Sequence, residues 1–327
     1  MQKMDRFKRT LALLLAAGLI FALTAGLAEE EQDKVVYDPE EEVGFMDPEM
    51  DRALRESLER VREMRHILLL GIDARPGETT GRSDTMVIVT LDGDGDVIKL
   101  TSLMRDLYVE IPGRKNNRLN AAYVFGGPSL LMETIERNFG VHVENYVAVN
   151  FSMLAELIDQ LGGLTLTVEE QYLPRLNAVI RQDNLVLGLP QETGQLEQAG
   201  TQLLTGRQAQ AYARYRYGTK DGDFERTERQ REVLTLIFKE LSKKSFVELG
   251  ALAASNLSKV TTNLTLEDVL ALAPAVRAMK DAEIRQLRIP ADGAYTSQTI
   301  AGMAVLVPDR TKNTRLIADF LTEGSNE

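Results

Sequence analysis

The sequence predicts an α/β domain in which helices cover both sides of a mixed β-sheet. Short apolar runs such as HILLLGID, residues 66–73, alternate along the chain with longer segments of helical periodicity. Two of these runs, DTMVIVTL and VIKLTSL, are separated only by the turn residues DGDGD, which indicates an antiparallel hairpin within the sheet. With 327 residues the chain is long enough for one large core or two modest ones.

The first 28 residues predict a membrane anchor. Four basic residues between positions 3 and 9 precede an uncharged apolar stretch, residues 11–28, which would extend about 27 Å as a helix and nearly match the hydrocarbon thickness of a bilayer. Basic residues before this stretch and acidic residues after it place the N-terminus inside and the rest outside. A cleaved signal peptide is the alternative, because Gly-Leu-Ala before Glu29 resembles a cleavage site. Either way, we expect an extracytoplasmic domain, held in a bacterial cell membrane by a single span if the anchor is kept.

Residues 29–64 predict an acidic linker followed by a short helix, and residues 65–327 form the extracytoplasmic domain. Between Glu29 and Asp51 there are eleven acidic residues against one lysine, a composition typical of a solvated linker. The helix covers about residues 48–64, with Leu54, Leu58 and Val61 on one face.

The order of elements in the domain follows from periodicity and from Gly and Pro positions. Weak periodicity predicts a loop-rich insertion at residues 172–200. The other elements, in order, are a helix over PSLLMETIERNF that starts near Pro128 and stops at Gly140, a strand over NYVAVNF, a helix over SMLAELIDQL ended by Gly162, a strand over LTLTV, a strand over YARYRY, a helix over FERTERQREVLTLIFKEL, a helix over TLEDVLALAPAVRAM, a strand over EIRQLRIP and a helix over TRLIADFL.

Composition excludes several classes of function. The chain has no cysteine, so disulfides, zinc-thiolate sites and cysteine nucleophiles are absent. Its two histidines, His66 and His142, have no nucleophile nearby in the sequence, which argues against a Ser-His-Asp triad. Residues 1–28 carry four of the 38 basic residues and one of the 49 acidic ones, so 34 basic residues face 48 acidic ones in the remainder. That balance argues against a nucleic-acid-binding protein.

Charged residues at the ends of predicted strands indicate a first part of a site. Asp73 follows the first strand, Arg82 and Asp84 precede the second, and Arg105 follows the third. A hairpin turn centred near Asp94 places residue 84 opposite residue 104 or so, so we expect Asp84 and Arg105 to be neighbours. Two carboxylates without histidine or thiol partners suit a hard cation such as Mg²⁺. The alternative is that both aspartates are turn and capping residues.

A second part of the site is predicted by ARYRYGTKDGDFERTERQR, residues 213–231, which gathers five arginines and one lysine in an acidic protein. Strand periodicity puts Arg214 and Arg216 on one face. In the following helix, the apolar stripe passes back through Gln230 and Arg226, so these two side chains point into the protein, and Arg229 lies near the edge of the stripe. Inward arginines favour an anion site, because guanidinium groups match phosphate oxygens. The alternative is an internal salt-bridge network, for example between Arg226 and the nearby Asp223.

Several stretches in the same order resemble the LytR-CpsA-Psr family of extracytoplasmic phosphotransferases. They cover about residues 66–241 and are ILLLGIDAR, GRSDTMVIV, TSLMRDLYVEIPG, NRLNAAYVFGG, NYVAVNF with LIDQLGGLTLTV, LLTGRQAQAYARYRY and DFERTERQREVL. The resemblance implies a single domain of the family's α/β fold. It also implies that the protein binds a polyprenyl-pyrophosphate-linked glycan and transfers its glycosyl phosphate to a hydroxyl group of peptidoglycan. This reaction would anchor teichoic acid, capsule or a similar polymer to the wall.

The resemblance also implies roles for individual residues. Asp73 and Asp84 fall on the family's metal-binding aspartates, with Mg²⁺ or Mn²⁺ as the expected cofactor. Where the family often has lysine, this chain has Arg118, and we expect little change because both are cations. Pyrophosphate contacts fall on Arg82, Arg105, Arg214, Arg216 and Arg226, with Gln230 and Asp223 in the same site. Of these residues, Arg105 and Arg226 are expected to act in catalysis. Independently of the resemblance, Asp223, in a Gly-rich segment, is our candidate for the base.

Three questions stay open at the level of the sequence. The lipid tail needs an apolar cleft, which helices near residues 152–161 and 232–241 can line, although the same residues also suit an ordinary core. A non-catalytic regulator or scaffold that binds polyprenyl phosphates is an alternative function. Hydrolysis of the pyrophosphate without an acceptor is another.

Overall fold

A computed structural model describes residues 52–73, 81–91, 97–215, 222–256, 260–265 and 283–323. The predicted anchor, the acidic linker and nearly all of the predicted helix over TLEDVLALAPAVRAM lie outside these residues. Within the described part of the chain, no helix combines the length and apolar character needed to cross a membrane.

Twelve strands and eight α-helices make up the described structure. The strands are β1 (Arg65–Asp73), β2 (Arg82–Leu91), β3 (Val97–Leu103), β4 (Tyr108–Val109), β5 (Asn117–Arg118), β6 (Asn145–Asn150), β7 (Leu164–Val168), β8 (Gly200–Leu204), β9 (Thr261–Thr262), β10 (Glu283–Ile289), β11 (Tyr295–Ile300) and β12 (Met303–Pro308). The helices are α1 (Arg52–Arg62), α2 (Leu119–Phe139), α3 (Phe151–Leu161), α4 (Leu173–Val186), α5 (Gly206–Arg214), α6 (Gly222–Ser242), α7 (Phe246–Asn256) and α8 (Arg310–Thr322).

The central sheet is mixed, as the sequence predicts. Its six strands lie in the order β10-β3-β2-β1-β6-β9. The β1–β2, β2–β3 and β6–β9 pairs are antiparallel, whereas β1–β6 and β10–β3 are parallel. The β2–β3 pairing, from Met86 opposite Leu103 to Leu91 opposite Ile98, confirms the predicted hairpin.

Helices cover both faces of this sheet because successive strand residues point to opposite sides. Ile67, on one face of β1, packs in a core with residues of α3, α4, α5, α6 and α7. Leu68, its neighbour on the other face, packs in a second core with residues of α1, α2 and α8. The predicted covering of the sheet on both sides is confirmed.

Several predicted element boundaries are also confirmed. Helix α2 contains non-helical backbone at Gly126 and Gly127, so its second part starts at Pro128, and it ends at Gly140 with φ 70°. Helix α3 ends at Gly162, φ 96°. These positive φ values favour glycine, which has no Cβ to clash.

Two predictions between β7 and α6 need correction. The loop-rich insertion over residues 172–200 is only partly confirmed, because Leu173–Val186 form helix α4, whereas residues 187–199 contain no helix or strand. The strand over YARYRY is wrong for its first three residues, because α5 continues to Arg214 before the chain becomes extended at Tyr215. Helix α5 begins with a reciprocal capping box between Thr205 and Gln208, and this start signal overrides the alternating pattern. A further hairpin, β11–β12, was not predicted.

Candidate functional site

The predicted strand-end residues meet at one edge of the central sheet. Asp73 is the last residue of β1 and pairs with Arg82, the first residue of β2. The register shifts between Gly71 and Ile72, so that Asp84 is the extra residue of a β-bulge. Bulges redirect side chains and are frequent beside active sites. Backbone geometry therefore brings Asp73, Arg82 and Asp84 to the same edge.

Arg105 joins this edge from the segment after β3. Its Nη1 atom lies 2.9 Å from Oδ2 of Asp84, and both side chains are largely buried, with exposed fractions of 17% and 12%. The predicted proximity of Asp84 and Arg105 is confirmed. Because the pair is shielded from solvent, its charges are screened less than those of a surface pair.

The Arg105 guanidinium is held from a second side as well. Its Nε atom lies 3.4 Å from a carboxylate oxygen of Asp106, whose other oxygen lies 3.2 Å from Nε of Arg118. Arg118 also donates a 2.6 Å hydrogen bond to the backbone oxygen of Ala304. Arg118, at the position where the resemblance leads one to expect lysine, therefore anchors this charged network to strand β12.

Arg214 occupies a different setting from the predicted one. It is the last residue of helix α5, and its Nη1 atom donates to both carboxylate oxygens of Asp183 in α4, each at 3.0 Å. Arg214 is therefore helical and does not lie on the predicted strand face. Arg216 and the side chains of Asp73, Arg82 and Asp223 lie outside the described residues, so their roles stay predictions.

Helix α6 presents its predicted inward residues to the protein interior. Arg226 is 4% exposed and Gln230 is half-buried. Val233, Ile237 and Leu241 continue the stripe and are buried, which confirms the helical periodicity. Arg229 departs from expectation, because it is not at the edge but buried, with 7% of its surface exposed.

An apolar cavity lies below this charged edge, between the sheet and helices α3, α5 and α6. Its free space is about 90 Å³ for the centres of water-sized molecules. Among the residues that the structure describes, no charged side chain lines it; the lining residues are Leu69, Leu70, Gly71, Thr85, Val87, Val147, Val149, Asn150, Leu154, Ala213, Gln230, Val233, Leu234 and Ile237. The two helices proposed from the sequence as cleft walls both contribute, and the strands that form the other wall were not predicted to do so.

Three residues that line the cavity are themselves predicted site residues or adjoin one in the sequence. Thr85 follows Asp84, Ala213 precedes Arg214, and Gln230 belongs to both the cavity and the predicted anion site. A molecule with an apolar tail and an anionic head matches this arrangement, because its two parts need these two environments.

Both histidines form hydrogen bonds with neighbouring residues. His66 is buried, with Nδ1 2.7 Å from Oγ1 of Thr90 and Nε2 2.9 Å from the backbone oxygen of Val61. Burial lowers its pKa from 6.5 to about 4. His142 lies 2.8 Å from Glu136, and this hydrogen bond raises its pKa. Buried or engaged in this way, neither histidine resembles the base of a catalytic triad.

A family model and several known proteins are similar in sequence to this chain. A family model described as the LytR_cpsA_psr family matches residues 27–319. Regulatory protein MsrR of Staphylococcus aureus (strain COL) is 29% identical over 263 residues, which cover 79% of this chain and 74% of the relative. The polyisoprenyl-teichoic acid–peptidoglycan teichoic acid transferase TagU of Halalkalibacterium halodurans is 31% identical over 229 residues, 69% of each protein.

A solved structure is also similar. It is the LytR-CPS2A-psr family protein YwtF (TagT) of Bacillus subtilis with bound octaprenyl pyrophosphate lipid. The TM-score is 0.57 and the identity 25%, and the matched region covers 79% of this chain and 90% of the other.

Proposed function

Because the chain belongs to the LytR_cpsA_psr family, we propose that it transfers a glycosyl phosphate from a polyprenyl-pyrophosphate-linked glycopolymer to a hydroxyl group of peptidoglycan. The observation that carries this proposal is the uncharged apolar cavity, whose lining includes Gln230, Thr85 next to Asp84, and Ala213 next to Arg214. The transferase relative TagU and the TagT structure with octaprenyl pyrophosphate lipid support the same reaction class.

Each part of the donor has a matching environment. The polyprenyl tail occupies the cavity, where burial contributes about 0.8 kcal/mol for each methylene group. The pyrophosphate lies at the charged edge, where Arg105 and Arg226 supply guanidinium groups. Arg82, Arg214 and Arg216 complete the predicted set. To bind the pyrophosphate, Arg214 either keeps its ion pair with Asp183 and uses its remaining N–H groups, or breaks that ion pair.

The transfer is a displacement at the phosphorus atom that carries the sugar. The acceptor oxygen forms a new bond to this phosphorus, the bridging P–O bond of the pyrophosphate breaks, and polyprenyl phosphate leaves with the electron pair. The acceptor hydroxyl proton passes to a base, for which Asp223 is our assignment. Arginines near the transferred group lower the barrier by neutralising charge that develops on the phosphate oxygens.

The two aspartates at this edge suit a hard divalent cation such as Mg²⁺ by residue type. Asp73 ends β1 and Asp84 lies in the bulge of the neighbouring strand, so the available ligands at this edge are carboxylate oxygens, which Mg²⁺ prefers. When bound, the ion supplies positive charge to the pyrophosphate. Arg105 orients Asp84 through its 2.9 Å contact, which restrains the carboxylate that would face the metal.

The proposal includes a location. We propose that residues 1–28 form a single membrane span and that the domain lies outside the cytoplasm, where both peptidoglycan and the head of the lipid-linked donor are found. The basic residues before the apolar stretch and the acidic residues after it support this orientation. Protease treatment of intact spheroplasts tests it, and protection of the domain would contradict it.

Transfer by the full chain in detergent micelles tests the function. The donor is a polyprenyl-pyrophosphate-linked disaccharide with a labelled sugar, the acceptor is uncrosslinked peptidoglycan, and the buffer contains Mg²⁺. We expect label to appear in peptidoglycan through a phosphodiester, together with polyprenyl phosphate. Arg105→Ala and Asp84→Asn are expected to reduce transfer by a factor of about 100 or more, because each removes a charged contact at the site.

A matched control is Arg137→Ala. Arg137 forms a 2.8 Å ion pair with Glu110 that is partly exposed and away from the cavity, so transfer is expected to stay within about twofold, as for an ordinary surface pair. Full activity of both site variants would contradict the proposal. Binding without turnover would favour a regulator or scaffold, and release of phosphate without acceptor would favour a hydrolase.

A further inference from the structure

Arg229 is a buried cation of helix α6 that the proposed set of pyrophosphate ligands does not include. Its Nη2 atom donates a 2.5 Å hydrogen bond to the backbone oxygen of Tyr215. Its guanidinium carbon also lies 3.7 Å from the centroid of the Tyr215 ring, a cation–π distance. One side chain of α6 therefore holds both the backbone and the ring of Tyr215.

Tyr215, which Arg229 contacts, lies between two of the predicted pyrophosphate ligands. Tyr215 is where α5 ends, and its backbone N–H donates to the oxygen of Ala211 at 3.1 Å. Its backbone oxygen belongs to the peptide group that leads into Arg216, and Arg214 immediately precedes it. Arg229 thus binds the backbone between Arg214 and Arg216.

The other end of the contact belongs to the same proposed site. Helix α6 carries Arg226 and Gln230, on either side of Arg229 in the sequence. The bond from Arg229 to Tyr215 spans 14 positions of the chain, and it fixes the end of α5 against α6. The two groups of proposed ligands, one beside Tyr215 and one on α6, are joined through this side chain.

The Tyr215 ring is held by packing against two other aromatic rings. It is buried and lies 5.4 Å from the ring of Tyr172 and 6.1 Å from that of Tyr212. The hydroxyl of Tyr212 donates a 2.7 Å hydrogen bond to Glu232, which is also in α6. An arginine stacked on a ring held in this way has little freedom to swing towards a ligand.

We propose that Arg229 is a positioning residue, which sets the distance between the ligands beside Tyr215 and those on α6 without touching the substrate. This inference rests on the proposed function, since it concerns the same pyrophosphate site. A charge-assisted hydrogen bond and a cation–π contact together make this link directional. Its role is to keep the arginines preorganised for two phosphate groups.

The test compares two probes with the full chain in detergent micelles and Mg²⁺. Geranyl pyrophosphate reports on the anion site and the cavity together, whereas geraniol reports on the cavity alone. We expect Arg229→Met to weaken binding of geranyl pyrophosphate by about tenfold or more and to leave geraniol binding within about twofold. Arg229→Lys keeps a charged donor but not the planar group, so its loss is expected to be intermediate.

Arg207→Met is the matched control. Arg207 is a half-buried arginine of α5 that donates to Asn184 and links α5 to α4, so its loss is expected to lower thermal stability and to leave both affinities unchanged. A purely structural role for Arg229 would give this same result. Equal binding of geranyl pyrophosphate by wild type and Arg229→Met overturns the inference.

Two further outcomes are decisive. If Arg229→Met does not fold, Arg229→Lys decides, and wild-type affinity in a folded Lys variant overturns the inference. If the wild type binds geranyl pyrophosphate no better than geraniol, the proposed function fails at its anion site, whatever the Arg229 variants do.

Discussion

Ala213→Leu is a change for which protein stability and donor binding are expected to move in opposite directions. Ala213 is a buried residue of helix α5 that lines the apolar cavity. A leucine there places three additional carbon atoms next to empty space rather than against packed neighbours. The added carbon atoms face the free space of the cavity, which is about 90 Å³ for the centres of water-sized molecules.

The magnitude follows from the carbon atoms added. At about 0.8 kcal/mol for each buried methylene group, three carbons give an upper limit of about 2.4 kcal/mol. Cavity-filling changes commonly realise about 0.5–2 kcal/mol of added stability. In the complex, the same volume is denied to the polyprenyl tail, so a loss of about 2 kcal/mol in binding corresponds to affinity weaker by a factor of about 30.

Two assays check the prediction. Urea unfolding of the variant measures the free energy of unfolding, and titration with a polyprenyl pyrophosphate measures the dissociation constant. Higher stability together with weaker binding is the expected result, because the cavity is kept empty for a ligand at the expense of core packing.

Ala211→Leu is the control for this experiment. Ala211 is fully buried in the same helix but does not line the cavity, so the larger side chain is expected to overpack the core and cost about 1–3 kcal/mol. The affinity of the folded fraction should stay at the wild-type value. If Ala213→Leu destabilises the protein equally and binds lipid like the wild type, the cavity is not the tail site.

Three predictions concern the rest of the fold. His66 is protonated near pH 6.5 in the unfolded state but only near pH 4 in the folded state. As the pH falls across this window, the free energy of unfolding of the wild type should therefore decrease by about 3 kcal/mol more than that of His66→Asn. Parallel pH profiles of the free energy of unfolding for the two proteins would contradict this. Lys99→Met should lower the free energy of unfolding by about 2–4 kcal/mol, because the buried Lys99 ammonium donates to backbone oxygens at the end of helix α8 at 2.7 Å. An unchanged midpoint of chemical denaturation would refute this. Gly206→Ala should lower the melting temperature because a Cβ atom would overlap the backbone of α3, whereas Gly250→Ala, with open space around its Cβ position, should raise it slightly; equal shifts would refute the packing argument.

The sequence was informative where a local rule determines the geometry. The turn between β2 and β3 sets their register, and that register alone is enough to predict Asp84 next to Arg105. The helical period placed Arg226 in the interior for the same reason. Gly140 and Gly162 marked helix ends because only a residue without Cβ readily takes a positive φ there.

Local rules were insufficient where two of them competed or where the geometry is tertiary. YARYRY satisfies the strand period, but the capping box at Thr205 and Gln208 starts a helix that continues to Arg214. The capping pattern was visible in the sequence and is the signal that would have corrected the prediction. In contrast, the ion pair of Arg214 with Asp183 depends on how α4 docks against α5, and no spacing along the chain encodes it.

The cavity illustrates a different limit. Val87, Val147 and Leu234 are ordinary core residues by sequence, and they line empty space only because the strands and helices that carry them stay apart. Sequence patterns report which side chains face inward, but not whether the opposing surfaces meet. This is why the cleft helices were recognised as a possibility and the sheet wall was not.

A structure of the protein with a polyprenyl pyrophosphate and Mg²⁺ tests the central claim most directly. We predict electron density for the tail in the cavity beside Val87, Val149 and Leu234, and density for the pyrophosphate at the charged edge within hydrogen-bonding distance of Arg105 and Arg226. Density for the pyrophosphate away from these arginines, or for the tail outside the cavity, would contradict the account.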